Sequence, residues 1–111
     1  AGRYTKIGRM VYAQIFVNNN GSNTFGSGYF IINGLPYTSF NGNSGIINTP
    51  PMLRFVTPPS GAFQLSSYVG ANESQIYFYW SDTSNWQVFV GDDINTDGSF
   101  AMYAGVIYEA A

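Results

Sequence analysis

Turn-forming clusters cut this chain into short runs and leave little room for a helix. Asn18-Asn19-Asn20-Gly21, Asn41-Gly42-Asn43-Ser44-Gly45, Pro58-Pro59-Ser60-Gly61, Gly70-Ala71-Asn72 and Asp97-Gly98 all carry residues that tolerate positive φ or interrupt a ladder. Between them lie runs rich in Val, Ile, Tyr and Phe, which suit a pleated, half-buried surface. No window holds helical periodicity with a cap at each end. The sequence therefore predicts an all-β sandwich or barrel. Strands are expected near Tyr4–Val17, Gly28–Ile32, Gly45–Asn48, Met52–Val56, Ala62–Val69, Gln75–Trp80, Trp86–Val90 and Ser99–Tyr108. At 111 residues, with no internal repeat or linker, residues 1–111 read as one domain.

Several of these strands are apolar on both faces. Arg9–Val17 places Met10, Tyr12 and Phe16 on one side and Val11, Ala13, Ile15 and Val17 on the other. In the last strand, Phe100, Met102, Ala104, Val106 and Tyr108 oppose Ala101, Tyr103 and Ile107. Gln75–Trp80 sets Ile76, Phe78 and Trp80 against Tyr77 and Tyr79. A small domain has one core, so the second apolar face calls for a partner, and self-association is the simplest one. A solvated, tyrosine-rich exterior is the alternative.

Composition closes off several chemistries. Only 9% of residues are charged, against about 25% in a typical soluble domain, so Asn, Ser, Thr and Gly keep this chain in solution. Of the four basic residues, Arg3, Lys6 and Arg9 sit near the start and Arg54 stands apart. That is too sparse a positive field for a nucleic-acid backbone. Arg3, Lys6 and Arg9 read either as a solvated strand end or as partners for Asp92, Asp93 or Glu109 of a neighbouring subunit. With no Cys there is no disulfide, and no apolar run reaches the roughly 18 residues of a membrane-spanning helix. The Ala-Gly start without Met reads as a fragment or processed segment of a longer protein, or as simple Met removal.

With neither His nor Cys, Ser-His and Cys-His nucleophile pairs, imidazole acid–base work and His-ligated zinc are ruled out. The carboxylates Glu73, Asp82, Asp92, Asp93, Asp97 and Glu109 all fall in predicted turns or at the terminus, where no glycosidase-like pair is evident. No catalytic residue is expected, and the chain reads as a non-enzyme. Asp93-Ile94-Asn95-Thr96-Asp97-Gly98 fits the first half of a calcium loop. Position twelve is Ala104, where a bidentate Glu is needed, so a polar hairpin is the simpler reading and neither metal nor cofactor is expected.

Aromatic side chains in loops are the remaining recognition elements. Tyr37 and Phe40 follow the corner Gly34-Leu35-Pro36, and Trp80 and Trp86 flank the loop Ser81-Asp82-Thr83-Ser84-Asn85. Flat aromatic faces stack on sugar rings, while short polar groups fix orientation. Tyr37, Phe40, Trp80, Asp82, Asn85 and Trp86 are therefore the candidate ligand-binding residues, although both Trp also read as core anchors. Phe25 and Tyr29 share that ambiguity. Leu35 and Pro36 read as a structural corner.

Gly2-Arg3-Tyr4-Thr5-Lys6-Ile7-Gly8-Arg9-Met10-Val11, then Ile32-Asn33-Gly34-Leu35-Pro36-Tyr37, then Ala104-Gly105-Val106-Ile107-Tyr108-Glu109 resembles the C-terminal domains of phage tail fibres and related virion appendages. The likeness touches both ends and the first third, with one residue inserted in the last motif. It implies a jelly-roll-like antiparallel sandwich, assembled as a homotrimeric knob on the outside of a virion. It also implies attachment to a host-surface carbohydrate, with other virion proteins as neighbours; from the sparse basic residues and the lack of a long apolar run, neither nucleic acid nor membrane insertion is expected. The alternatives are a capsid decoration or head-fibre knob that works by oligomerisation alone, and a secreted lectin-like module.

Overall fold

A computed structural model describes residues 2–18, 28–42, 46–47, 49–94 and 100–111. The strands are β1 (Gly2–Ile7), β2 (Met10–Asn18), β3 (Ile31–Asn33), β4 (Ile46–Ile47), β5 (Met52–Arg54), β6 (Gln64–Tyr68), β7 (Gln75–Ser81), β8 (Trp86–Val88) and β9 (Ala101–Glu109). Among the described residues the one helical element is a single 3-10 turn, Gly91–Asp93. All strand pairs are antiparallel. One sheet runs β1-β2-β9, with β4 and β5 sharing the far side of β9. The other runs β3-β7-β6, with β8 beside β3 on the same flank of β7. The two sheets bury one core between them, which makes the fold an all-β sandwich.

Several strand ends, such as those of β3, β6 and β8, shift by one to three residues from the sequence expectation, and two differences go further. The predicted strand Tyr4–Val17 is a hairpin, in which Ile7 pairs with Met10 across the two-residue turn Gly8-Arg9. Gly8 takes φ +60 and Arg9 does not take a positive φ, the pattern of a II′ turn, whose twist matches that of its strands. The predicted strand Met52–Val56 stops at Arg54 because Phe55 turns to φ 60, a rare backbone state for a bulky residue.

Alternation divides β2, β7 and β9 as the sequence suggests. Val11, Ala13, Met102, Ala104, Val106 and Tyr108 point inward from the five-stranded sheet, and Leu65, Ile76, Phe78 and Trp80 meet them from the other. Phe30 joins the layers, with its ring 5.8 Å from Phe78, 5.2 Å from Phe89 and 5.7 Å from Phe100. Fully burying a side chain of this size contributes roughly 1.5–3 kcal/mol. Tyr108 is buried to its hydroxyl, which donates to the Tyr37 carbonyl at 2.9 Å, and burial pushes its pKa up.

Candidate functional site

The outer face of the four-stranded sheet carries the candidate site. In β7 the inward set Ile76, Phe78 and Trp80 leaves Tyr77, Tyr79 and Ser81 facing out. Register then aligns Tyr77 with Tyr68, Tyr79 with Ser66 and Val88, and Ser81 with Gln64 and Trp86. Cross-strand neighbours share a face, so a row of rings forms on the surface. Tyr68 meets Tyr79 edge-on at 5.9 Å, and Tyr77 lies 6.5 Å from Tyr79. Trp86 closes the row, 70% exposed. Ser66, Tyr68, Tyr79, Ser81 and Trp86 line a groove of about 390 Å³.

The loop after β7 holds Trp86 in place. Asp82 Oδ1 accepts the backbone N–H groups of Ser84 at 2.8 Å and Asn85 at 2.7 Å, and Oδ2 accepts Gln87 Nε2 at 2.8 Å. The Asp82 N–H donates to the Asn85 carbonyl, and Asn85 Oδ1 accepts the Trp86 N–H, each at 2.8 Å. An Asx-type turn of this kind orders a tight loop with side-chain acceptors. The Ser84 N–H, then Gln87 and the Asn85 N–H, hold the Asp82 carboxyl below its ordinary range. Asp82 and Asn85 thus position Trp86, their oxygens already occupied by loop donors.

On this face Tyr77 and Tyr79 are poor acids. The Glu73 carboxylate beside Tyr77, acting first by hydrogen bonding and then with burial, pushes the Tyr77 hydroxyl up to about 12. Burial, then the neighbouring Tyr68, raises that of Tyr79. Both therefore remain neutral hydrogen-bonding groups around neutral pH.

The six candidates do not converge. Trp80 lies in the core at 6% exposure, where its Nε1 donates to Asp93 Oδ2 at 3.0 Å. Asp93 also accepts the Val90 N–H at 3.2 Å, so its carboxylate braces the core edge. Tyr37 and Phe40 sit at the other end of the sandwich, beyond the start of β7, roughly 20 Å from Trp86 at strand rise. There Tyr37 meets the Tyr4 ring at 5.8 Å and Lys6 Nζ at 5.3 Å, and Phe40 lies 5.5 Å from the Arg9 guanidinium. Arg9 pairs with Glu109 of its own chain at 3.1 Å, which departs from the intersubunit pairing considered for these residues.

Tyr68, Tyr79, Ser66 and Ser81 were not among the sequence candidates. Their signal was the outward alternation of Tyr77 and Tyr79, which on sequence alone could equally serve self-association. Tyr29 is 65% exposed and bridges to Val90. Phe25 lies outside the described residues, as does the calcium-like loop beyond Ile94. Among the described residues no three metal-ligating side chains come together. Leu35, half-buried, donates its N–H to the Ser74 carbonyl at 3.0 Å, and Gly34 before it takes φ +93.

The five-stranded sheet has a different exterior. Ile7, Met10, Tyr12, Met52 and Tyr103 are exposed there, and Phe16 stacks on Tyr103 at 4.5 Å. Comparison of the chain with protein-family models, curated proteins and solved structures gives no match.

Proposed function

We propose that this chain is a host-attachment knob of a phage tail fibre or virion appendage, binding a surface glycan non-covalently through the tyrosine–Trp86 face. The groove formed by Ser66, Tyr68, Tyr79, Ser81 and Trp86 carries the reading. Aromatic faces there take the C–H face of a sugar ring, and hydroxyls and the Gln64 amide lie close enough in register to bind its oxygens. A rigid sheet holds the platform, so little ordering accompanies binding. No cofactor and no bond-breaking step enters. The virion setting and the jelly-roll connectivity rest on the resemblance of the terminal motifs; the return of β9 to lie beside β2 supports the latter.

The second outer face supports assembly. Ile7, Met10, Tyr12, Met52 and Tyr103 form an apolar exterior, and a homotrimer packed through it would leave the tyrosine face free. Several weak sites on one particle then gain avidity. The same face favours a second reading, a structural virion knob with no ligand of its own.

A glycan array probed with the wild-type domain and with Trp86→Ala separates the two. Expected is binding to a restricted set of glycans, lost at least tenfold in Trp86→Ala, with oligomeric state and melting temperature unchanged. Absence of any glycan signal from the intact oligomer would leave the structural reading in its place.

A further inference from the structure

β1 is an edge strand, and its free side has the make-up of a docking site. All six residues of Gly2–Ile7 are exposed, and among the described residues only β2 pairs with the strand. The two-residue turn makes Ile7–Met10 a hydrogen-bonded pair, so alternation directs the N–H and C=O groups of Tyr4 and Lys6 away from β2. Unpaired edges of this kind accept a further strand unless something blocks them.

Beside the edge lies a cleft of about 440 Å³ between β1–β2 and the segment from Ile32 to Pro36. Tyr4, Ile15, Ile32, Leu35 and Ile76 give it apolar walls. A strand added along β1 would aim alternate side chains across its mouth. The charges at this edge are also unmatched. Arg9 is satisfied by Glu109, but Arg3 and Lys6 have no carboxylate partner among the described residues, while the chain as a whole carries −2. A second copy pairing β1 with β1 would gather two Arg3 and two Lys6 side chains along one seam, and close like charges destabilise a sheet.

From these features we infer that β1 docks an extended acidic segment of a partner protein by antiparallel strand addition. The register specifies its pattern. An acidic residue stands opposite Lys6, a polar one opposite Thr5, an apolar one opposite Tyr4 and facing the cleft, and an acidic one opposite Arg3. The site is separate from the tyrosine face, and neither depends on the other.

The probe is the peptide acetyl-Thr-Thr-Glu-Thr-Val-Glu-Thr-Thr-amide, titrated into the wild-type protein by calorimetry and by amide hydrogen exchange. A permuted peptide of the same composition, with Val moved one place to the solvent phase, is the control. Expected is binding at least tenfold tighter than the permuted peptide, with new protection of the Tyr4 and Lys6 amides. Arg3→Glu combined with Lys6→Glu should lose tenfold or more while keeping the wild-type melting temperature. Equal affinity for the two peptides would reduce the effect to bulk charge and overturn the proposal, as would no binding at millimolar peptide. Protection of the same β1 amides in the protein alone, rising with protein concentration, would assign the edge to a second copy and overturn it too.

Discussion

Two buried serines should respond in opposite directions to the same substitution. Ser39 and Ser67 are both at or below 1% exposure. Ser39 Oγ donates to the Gly70 carbonyl at 2.6 Å and accepts the Glu73 N–H at 3.0 Å, tying the loop after β3 to the turn before β7. Ser67 Oγ has no hydrogen-bond partner among the described residues, and lies on the inner face of β6 opposite Phe78. Ser39→Ala strands one buried carbonyl and one part-buried N–H. Each unsatisfied group costs about 1–3 kcal/mol, and the lower half of that range for each gives a loss of about 2–4 kcal/mol. At about 4 °C per kcal/mol for a chain of this size, the midpoint should fall by about 8–16 °C. Ser67→Ala removes a hydroxyl that was desolvated without compensation, so stability should stay level or rise by about 1 kcal/mol. Urea unfolding of the two variants at one fixed protein concentration decides, since association would otherwise shift the midpoints. A loss under 0.5 kcal/mol for Ser39→Ala, or a loss above 1 kcal/mol for Ser67→Ala, would refute the reasoning.

Ile107→Asp, outward-facing on the five-stranded sheet, should give a folded monomer by light scattering, whereas Ile15→Asp, packed against the core, should unfold the domain. Leu35→Ala should cost about 1–2 kcal/mol in chemical denaturation, below the roughly 2–5 kcal/mol of a fully buried leucine, because Leu35 is only half-buried at the lip of an open cleft. Asp82 has a lowered folded pKa, so its contribution is present above the free aspartate value of 3.8 and fades as pH falls through the folded one; the Ser84 and Asn85 amide signals should titrate with a midpoint below 3.8. Tyr77 is the opposite case: its contribution is whole below pH 10 and fades as pH rises through about 12, and Glu73→Gln should lower the midpoint of its ultraviolet ionisation.

Strand positions were legible because turn chemistry and two-residue alternation are local properties. The inward faces of β2, β7 and β9 follow directly from them, and Trp80 was already on the face of Ile76 and Phe78 before loop proximity recommended it as a ligand contact. The Gly8-Arg9 turn escaped because a lone Gly between apolar and basic residues lacks the Asn-Gly or Asp-Gly signature. Phe55 ends β5 with a backbone state that nothing in Arg54-Phe55-Val56 announces. Ser39 and Ser67 look alike in sequence, because the partners of Ser39 lie about 30 residues away and Ser67 Oγ has none among the described residues. The candidate groove was half legible. Trp86 and its Asp82–Asn85 support are local, but Tyr68 and Ser66 join Tyr79 only through the register of β6 on β7.

The two exteriors differ in a way that bears on their separate uses. Tyrosine presents an apolar ring and a hydroxyl that water satisfies, so a face of Tyr68, Tyr77 and Tyr79 is stable empty and can bind reversibly. Ile7, Met10 and Met52 offer water nothing, and a face built from them gains most by being covered permanently. If that division holds, the functions come apart under mutation. A folded Ile107→Asp monomer should keep the single-site glycan affinity while losing attachment to a multivalent surface, since only effective concentration has changed. Trp86→Ala should do the reverse, keeping the oligomer and losing the single site. A monomer whose intrinsic affinity also collapsed would mean that the groove needs the neighbouring subunit to be complete.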